Sequence, residues 1–395
     1  MNTYGVFDIL GPIMIGPSSS HTAGAARLGK VARAICGKPM KKVTFLINSL
    51  TQGGAEKIAL QLYLNLSNSV NVINFVTLTN EDFYKKEIKK HVINDSNKIT
   101  KTTKFMSLAK YFRGNNDVVL CFSLDLACYL YILRVLNIFK GEVICRFINN
   151  PDNEIGTSLI NKIKKRFLFY VLKKCDLVIC QSDAMKDLLI SKYEFNNNKT
   201  VRIYNPIPIA NNNESSFEQT DKEILKLLFV GRLSEQKNLD DIIRISQLLR
   251  DKGIFFLWKV VGKGPLENTF KDLIREHNFQ ESIVMCGSSH DIENYYKWAD
   301  ITTLVSHYEG LPNVLLESIS HRTPCVSYDC PTGPSEIIIH EKNGILVPQY
   351  DVNNFYQSLI RVKELNLKND NIEKTLMKFS EKKVCDEYYK ILFKR

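Results

Sequence analysis

No stretch of this 395-residue chain is apolar for long enough to cross a bilayer, which excludes a helical membrane span. A secretory leader is not expected either. The one apolar stretch near the start, Phe7 to Pro17, contains Asp8, lacks a basic lead and is followed by no small-residue cleavage pattern. There is no Cys-x-x-C and no pair of histidines at finger spacing. The ten cysteines stand singly, several inside apolar runs such as those around Cys121, Cys145 and Cys286, so buried, reduced cytosolic thiols are expected and a zinc site or disulfide framework is not. The aromatic-and-basic signatures of nucleic-acid modules are missing as well. This matters because the chain is basic, at net +11, and the excess is uneven. Residues 41–210 hold 25 basic and 14 acidic side chains, whereas residues 211–395 hold 24 and 27. A basic half without nucleic-acid signatures favours an anionic membrane surface or a phosphate-bearing acceptor over nucleic acid.

What is present is the composition of a globular protein, 44% hydrophobic and 24% charged, with length enough for two domains. From residue 41 short apolar strands alternate with amphipathic stretches. Strands are expected at Val43–Asn48, Val70–Leu78, Val118–Ser123, Val143–Phe147, Leu177–Cys180 and Val201–Tyr204, with helices such as Glu56–Leu66 and Ile160–Lys174 between them. A polar, proline-punctuated run from Asn205 to Ser216 then reads as a linker. The alternation resumes at Leu227–Gly231, Phe255–Val261, Ile283–Cys286, Ile301–Val305, Cys325–Tyr328 and Gly344–Val347. The pattern predicts an α/β chain of two Rossmann-like, doubly wound domains facing across a cleft, with ligands beyond the carboxyl ends of the strands.

The loops at those strand ends carry the chemistry. Leu304 to Ile319 reads as a buried strand, a glycine turn at Gly310 and a helix with Pro312 at its first position. Glu309 on the turn suits sugar hydroxyls and Glu317 on the helix suits a ribose diol. Eight positions apart and partly helical, the two are too far separated for the carboxylate pair of a retaining glycosidase, which needs about 5 Å. Gly231, Arg232 and Lys237 form a glycine turn with two cations, suited to neutralising a diphosphate leaving group without a metal. Gly53 and Gly54, after the first strand, permit close backbone approach to a phosphate or sugar. Val261-Gly-Lys-Gly-Pro lacks the third glycine of a dinucleotide fingerprint and reads as a tight turn, with Lys263 a further cation. Ile160 to Lys174 sets basic residues around an apolar, aromatic face; it suits either an anionic membrane surface or ordinary packing on its own sheet.

Taken together, Gly53-Gly-Ala-Glu, Cys175-Asp-Leu-Val-Ile-Cys-Gln-Ser, Tyr204-Asn-Pro-Ile, Gly231-Arg-Leu-Ser-Glu-Gln-Lys-Asn, the Glu309/Glu317 pair, Gly333-Pro-Ser-Glu and Asn343-Gly-Ile-Leu-Val make residues 41–395 resemble a family 4 glycosyltransferase of the GT-B fold. The resemblance implies a retaining transferase with a nucleotide sugar, UDP-linked, as co-substrate and neither cofactor nor essential metal, in keeping with the lack of an Asp-x-Asp on a strand end. It implies an acceptor-binding domain at 40–208, a donor-binding domain at 209–371, and a final helix at 372–395 crossing back to the first domain. By similarity, Arg232 and Lys237 would contact the diphosphate, Glu309 the donor sugar and Glu317 the ribose. Gly310, Leu311 and Asn313 would add donor contacts, with Gly54 closing from the first domain.

One departure stands out: relatives often carry a histidine of the first domain near the donor's anomeric centre, yet no histidine lies between His91 and His277. Asp125, Arg146 and Asn149 are the candidates for that acceptor-side place. Residues 1–39 resemble something else, the opening of the beta subunit of iron–sulfur L-serine dehydratase, with Ser18 to Thr22 matching a loop near its substrate site. Without the rest of that sheet a fused, poorly ordered fragment lacking dehydratase activity is expected. The resulting expectation is a hexosyl- or N-acetylhexosaminyltransferase acting on a lipid-linked or growing cell-surface polysaccharide, cytoplasmic and peripheral on the inner face of the plasma membrane. A GT-B epimerase or phosphorylase, or a non-catalytic GT-B protein, is the alternative.

Overall fold

A computed structural model describes residues 42–68, 70, 73–94, 99–153, 159–208, 224–362 and 369–394. The dehydratase-like residues 1–39 and residues 209–216 of the expected linker lie outside these.

The first sheet is built from β1 (Val43–Ile47), β2 (Ile73–Thr77), β3 (Lys90–Val92), β4 (Val118–Cys121), β5 (Glu142–Arg146), β6 (Leu177–Cys180) and β7 (Thr200–Arg202). Its helices are α1 (Gly54–Ser67), α2 (Lys101–Phe112), α3 (Leu124–Val135), α4 (Leu159–Leu172) and α5 (Asp183–Ser191). The second sheet comprises β8 (Leu225–Val230), β9 (Phe256–Val261), β10 (Ile283–Gly287), β11 (Ile301–Leu304), β12 (Cys325–Tyr328) and β13 (Gly344–Val347). With it go α6 (Leu239–Asp251), α7 (Glu267–Glu276), α8 (Glu293–Trp298), α9 (Asn313–Ser320), α10 (Pro334–Ile337) and α11 (Val352–Arg361), followed by α12 (Asn369–Lys378) and α13 (Glu381–Phe393).

Both sheets are parallel throughout, in the orders β3-β2-β1-β4-β5-β6-β7 and β10-β9-β8-β11-β12-β13. Their strands are continuous apolar runs because helices cover both faces: all five residues of β1 and all four of β4 are buried. Helix starts follow local chemistry. Thr100 and Thr103 form a reciprocal capping box at α2, and Ser182 accepts from the Met185 amide at α5.

The strand order reverses between β1 and β4 in one sheet and between β8 and β11 in the other. At such switch points neighbouring loops diverge and leave a crevice at the carboxyl edge. Gly53 and Gly54 follow β1, Arg232 and Lys237 follow β8, and Glu309 follows β11, so these motifs stand at the two crevices.

Three expectations about elements change. β3 is unforeseen; its Lys-His-Val has no apolar alternation to announce it, and it sits at the sheet edge on β2. Pro312 caps α9 from one position before the first helical residue. The expected single helix at 372–395 is two, because Phe379 and Ser380 leave the helix where Phe379 is buried against Tyr204, rings 4.6 Å apart, and Ser380 bridges Ile207. The second piece, α13, lies on the first domain: Gln61 of α1 donates to Glu381 at 2.6 Å and Arg146 of β5 to Tyr388 at 3.1 Å.

Candidate functional site

On the second domain, Lys237 and Glu309 come from different loops and form a buried ion pair of 2.5 Å. The pair is fixed by its surroundings. Gln236 donates to the Tyr308 carbonyl at 2.8 Å, and Thr332 donates to the Glu309 carbonyl. Arg232, on the same loop after β8 as Lys237, is exposed. The Gly231 turn is packed against the Val261–Gly264 turn: Gly231 donates to the Val261 carbonyl, and Gly262 has φ 144°, where a Cβ would fall 1.9 Å from the Gly231 carbonyl oxygen. Only glycine admits that backbone contact.

Glu317 has separate partners. One oxygen accepts from Lys57 of α1 at 2.5 Å, the other from Tyr296 at 2.9 Å. Lys57 reaches it from the first domain, so this ion pair spans the cleft. Burial, with the Glu317 charge alongside, pushes the Tyr296 phenol far above its ordinary range and keeps it a donor. Beside Glu317 opens a cavity of about 460 Å³ lined in part by Lys57, His290, Ile292, Tyr296 and His321. At its rim His290 stacks on Phe83 of the first domain, rings 4.0 Å apart and 14° from parallel.

Glycine loops close the rest of the gap. A Cβ on Gly54 would lie 3.4 Å from the Asn313 amide nitrogen, and one on Gly310 would lie 2.3 Å from the Ile148 carbonyl oxygen. Gly310 thus lets the donor-side loop meet the backbone after β5. Leu311 is buried behind it in the core shared by the two domains. Asn150 donates to the Pro331 carbonyl at 2.8 Å, and Glu336 accepts from the Asp183 and Ala184 amides at 2.9 Å, capping α5 from the second domain.

The acceptor-side candidates separate. Arg146 is withdrawn from the cleft, which corrects the expectation: it is fully buried, donates to Tyr388 and, at 2.5 Å, to Asn205, and its Nη1 has no hydrogen-bond partner. Asn205 in turn donates to Asn313 at 2.6 Å, so Arg146 supports α9 from beneath. Asp125 stands in the first turn of α3 within a polar cluster. Burial would raise its carboxyl, but hydrogen bonds from Lys104, Ser123 and Asn48 and the Lys104 charge hold it below the usual range. Asn149 lies between Ile148 and Asn150, the two residues that touch the second domain, and keeps a half-buried place at the cleft.

Several residues here escaped the reading of the sequence: Lys57, Phe83, His290, Tyr296 and His321. A signal existed for Lys57. Gly54, Lys57 and Gln61 fall on one stripe of α1, while Ile58, Ala59, Leu62 and Leu66 are its buried face. Glu56 is raised by burial, against which its backbone hydrogen bond and the Arg232 charge across the cleft work.

Two parallel-sheet domains with their switch-point loops facing one another define the class, a glycosyltransferase of the GT-B fold. The first domain matches the model "Glycosyltransferase Family 4" over residues 52–211, and the second matches "Glycosyl transferases group 1" over residues 211–379. Among curated proteins, the chain is 27% identical over 323 residues to the amylovoran biosynthesis glycosyltransferase AmsD of Erwinia amylovora, covering 80% of this chain and 88% of the relative. It is 26% identical over 336 residues to the N-acetylgalactosamine-N,N'-diacetylbacillosaminyl-diphospho-undecaprenol 4-alpha-N-acetylgalactosaminyltransferase of Campylobacter jejuni, covering 81% and 89%. A solved structure of Anabaena HepE in complex with UDP-glucose superposes with a TM-score of 0.76 at 16% identity, over 89% of this chain and 99% of that one. Both family models begin beyond residues 1–39.

Proposed function

We propose that the protein is a retaining glycosyltransferase moving a hexose or N-acetylhexosamine from a UDP-sugar to a lipid-linked or growing cell-surface polysaccharide acceptor. The observation that carries this reading is the largely buried Lys237–Glu309 pair, with exposed Arg232 on the same loop as Lys237, at the switch point of the second sheet. The cations Arg232 and Lys237 would offset the charge that builds on a departing diphosphate, and the fixed position of Lys237 removes the cost of reorganising solvent. Glu309 would then hold the donor sugar, and Glu317 the ribose once Lys57 yields to it. The cavity beside Glu317 has room for the nucleoside. Gly310, Leu311 and Asn313 shape the donor loop; Asp125 and Asn149 stand on the acceptor side.

Support for the substrates comes from the relatives. The Erwinia protein is named for amylovoran biosynthesis, the Campylobacter one for a diphospho-undecaprenol acceptor, and the Anabaena structure holds UDP-glucose. The same reading places the enzyme on the cytoplasmic face of the membrane, where such acceptors present their head groups, and needs no metal, so turnover should survive chelation. Residues 1–39 we take as a fused fragment without dehydratase activity; pure protein should carry no iron and form no pyruvate from serine.

A thermal-shift screen with nucleotide sugars tests the donor, since a ligand at a hundred times its Kd adds about 2.7 kcal/mol of stability. Release of UDP should then be lost in Arg232→Ala and Glu309→Ala. Unchanged turnover in both variants overturns the proposal.

A further inference from the structure

Helix α4 has two apolar faces, and its sheet accounts for only one. Phe169 and Leu172 are buried against the first domain. On the outer side Ile163, Phe167 and Tyr170 expose 64%, 59% and 57% of their surface. At about 100° per residue, positions 163, 167, 170 and 174 fall in one stripe along the outer surface. Arg166, Lys162 and Lys173 flank it on one side and Lys164 on the other, with Lys174 in line, its ammonium 5.5 Å from the Tyr170 ring. Two of the lysines are engaged at the edge of the helix: Lys165 turns inward to the Asp152 carbonyl, and Lys173 lies 3.7 Å from the Glu194 carboxylate. No acidic residue occurs from Leu159 to Cys175.

The patch continues onto the neighbouring helix. Arg134 donates to the Lys174 carbonyl at 2.8 Å, joining the ends of α3 and α4, and next to it Val135 and Leu136 are exposed. Five of the thirteen large hydrophobic residues exposed among the described residues therefore lie on this one pair of helices. Scattered exposed apolar side chains are ordinary; a stripe of them edged by cations of one sign is not.

We infer that the outer face of α4, extended by the end of α3, is a docking surface for an anionic lipid bilayer. Charge complementarity selects this occupant. A second copy of the chain would set one cationic stripe against another, whereas an anionic leaflet neutralises the lysines and arginine while the aromatic rings settle at head-group level and Ile163 reaches the acyl boundary. Snorkelling lets the long basic side chains stay in the charged layer above. The direction of the helix adds to this. β5 and β6 are parallel, so α4 runs back from the carboxyl edge of the sheet, and its Ile163 end is the one nearer the cleft and Asn149. A docked bilayer would lie closest to the acceptor side of the site. The inference stands apart from the identity of donor and acceptor.

The test is flotation of the full chain with phosphatidylcholine vesicles and with vesicles that also contain phosphatidylglycerol. The bound fraction should be high only on the second kind and should fall with added salt. The triple variants Ile163→Ser/Phe167→Ser/Tyr170→Ser and Lys162→Gln/Lys164→Gln/Arg166→Gln should each weaken partitioning about tenfold or more, with melting temperature and donor hydrolysis in free solution unchanged. Equal binding to neutral vesicles, or full binding by both variants, overturns the inference. So does a wild-type dimer by light scattering that the first variant dissolves while vesicle binding is absent, which assigns the face to a second copy.

Discussion

The two edges of the cleft are built differently. On the second domain the charged groups are delivered to the crevice and paired there, Lys237 with Glu309 and Tyr296 with Glu317. On the first domain the charged candidates are tied elsewhere: Asp125 to Lys104 and Ser123, Arg146 to Tyr388 and Asn205 in the interior. What the first domain does bring across is mostly backbone and neutral side chains, with Gly54 against Asn313, the Ile148 carbonyl against Gly310, Asn150 on the Pro331 carbonyl and Phe83 on His290, together with the Lys57 cation on Glu317. The lesson is that the second domain is organised to stabilise charge in place and the first to close over it.

The largest test of this asymmetry is a pair of isosteric changes. Glu309→Gln should lower the rate of UDP release about a hundredfold or more, as loss of a fixed electrostatic contact to a developing charge does. Asp125→Asn, measured alongside, should cost less than about tenfold, because its hydrogen bonds are internal to the first domain. Equal losses would break the comparison.

Closure is tested next. Gly310→Ala puts a methyl 2.3 Å from the Ile148 carbonyl oxygen, where only backbone movement makes room. Overpacking of this kind costs about 1–3 kcal/mol. It should appear as about a tenfold or greater drop in kcat/KM, with nucleotide affinity, measured calorimetrically, kept. An unchanged kcat/KM would mean the two loops need not touch in turnover.

A smaller effect is expected at Lys57. Its ammonium must leave Glu317 before a ribose diol can bind there, yet Lys57 is half exposed, so the pair is worth at most about 0.5–1 kcal/mol after screening. Lys57→Met should therefore tighten UDP binding about two- to fivefold in calorimetry. Weaker binding in this variant would make Lys57 a direct contact to the nucleotide instead of a competitor for Glu317.

The smallest effect is a pH dependence at the cavity wall. Burial lowers the His321 pKa, with the Lys297 and Lys57 charges acting the same way and Glu293 and Glu317 opposing. The folded state then binds fewer protons than the unfolded one below about pH 6.5, the ordinary histidine value, and stability falls as the pH drops from there toward the folded pKa. The midpoint of thermal unfolding should decline over this window, and His321→Gln should flatten the decline.

Reading these residues in order carries much of the fold, because parallel strands buried on both faces are continuous apolar runs and their helices keep one apolar stripe. Glu309, Lys237 and the glycine loops were legible for the same reason: they directly follow strands, so their place at the carboxyl edge is a matter of order along the chain. Arg146 shows the limit. It too follows a buried run, but whether its side chain points to the cleft or under α9 depends on Asn205 and Tyr388, which lie 59 and 242 positions away. The break in the last helix had the same origin. Nothing in Phe379-Ser380 stops a helix by propensity; the stop comes from Tyr204 and Ile207 of another domain.

By itself, then, the order of residues determined the two-domain parallel architecture, the glycine-rich and charged loops at the carboxyl ends of the strands and the excess of positive charge in the first half, since each is a local or periodic property of the chain. The tertiary structure alone decided which carboxylate meets which cation across the cleft, that Arg146 is a buried support, and that α4 keeps a second apolar face to solvent. Those outcomes depend on contacts between segments far apart in the chain, and the free energy of such contacts exists only once both segments are in place.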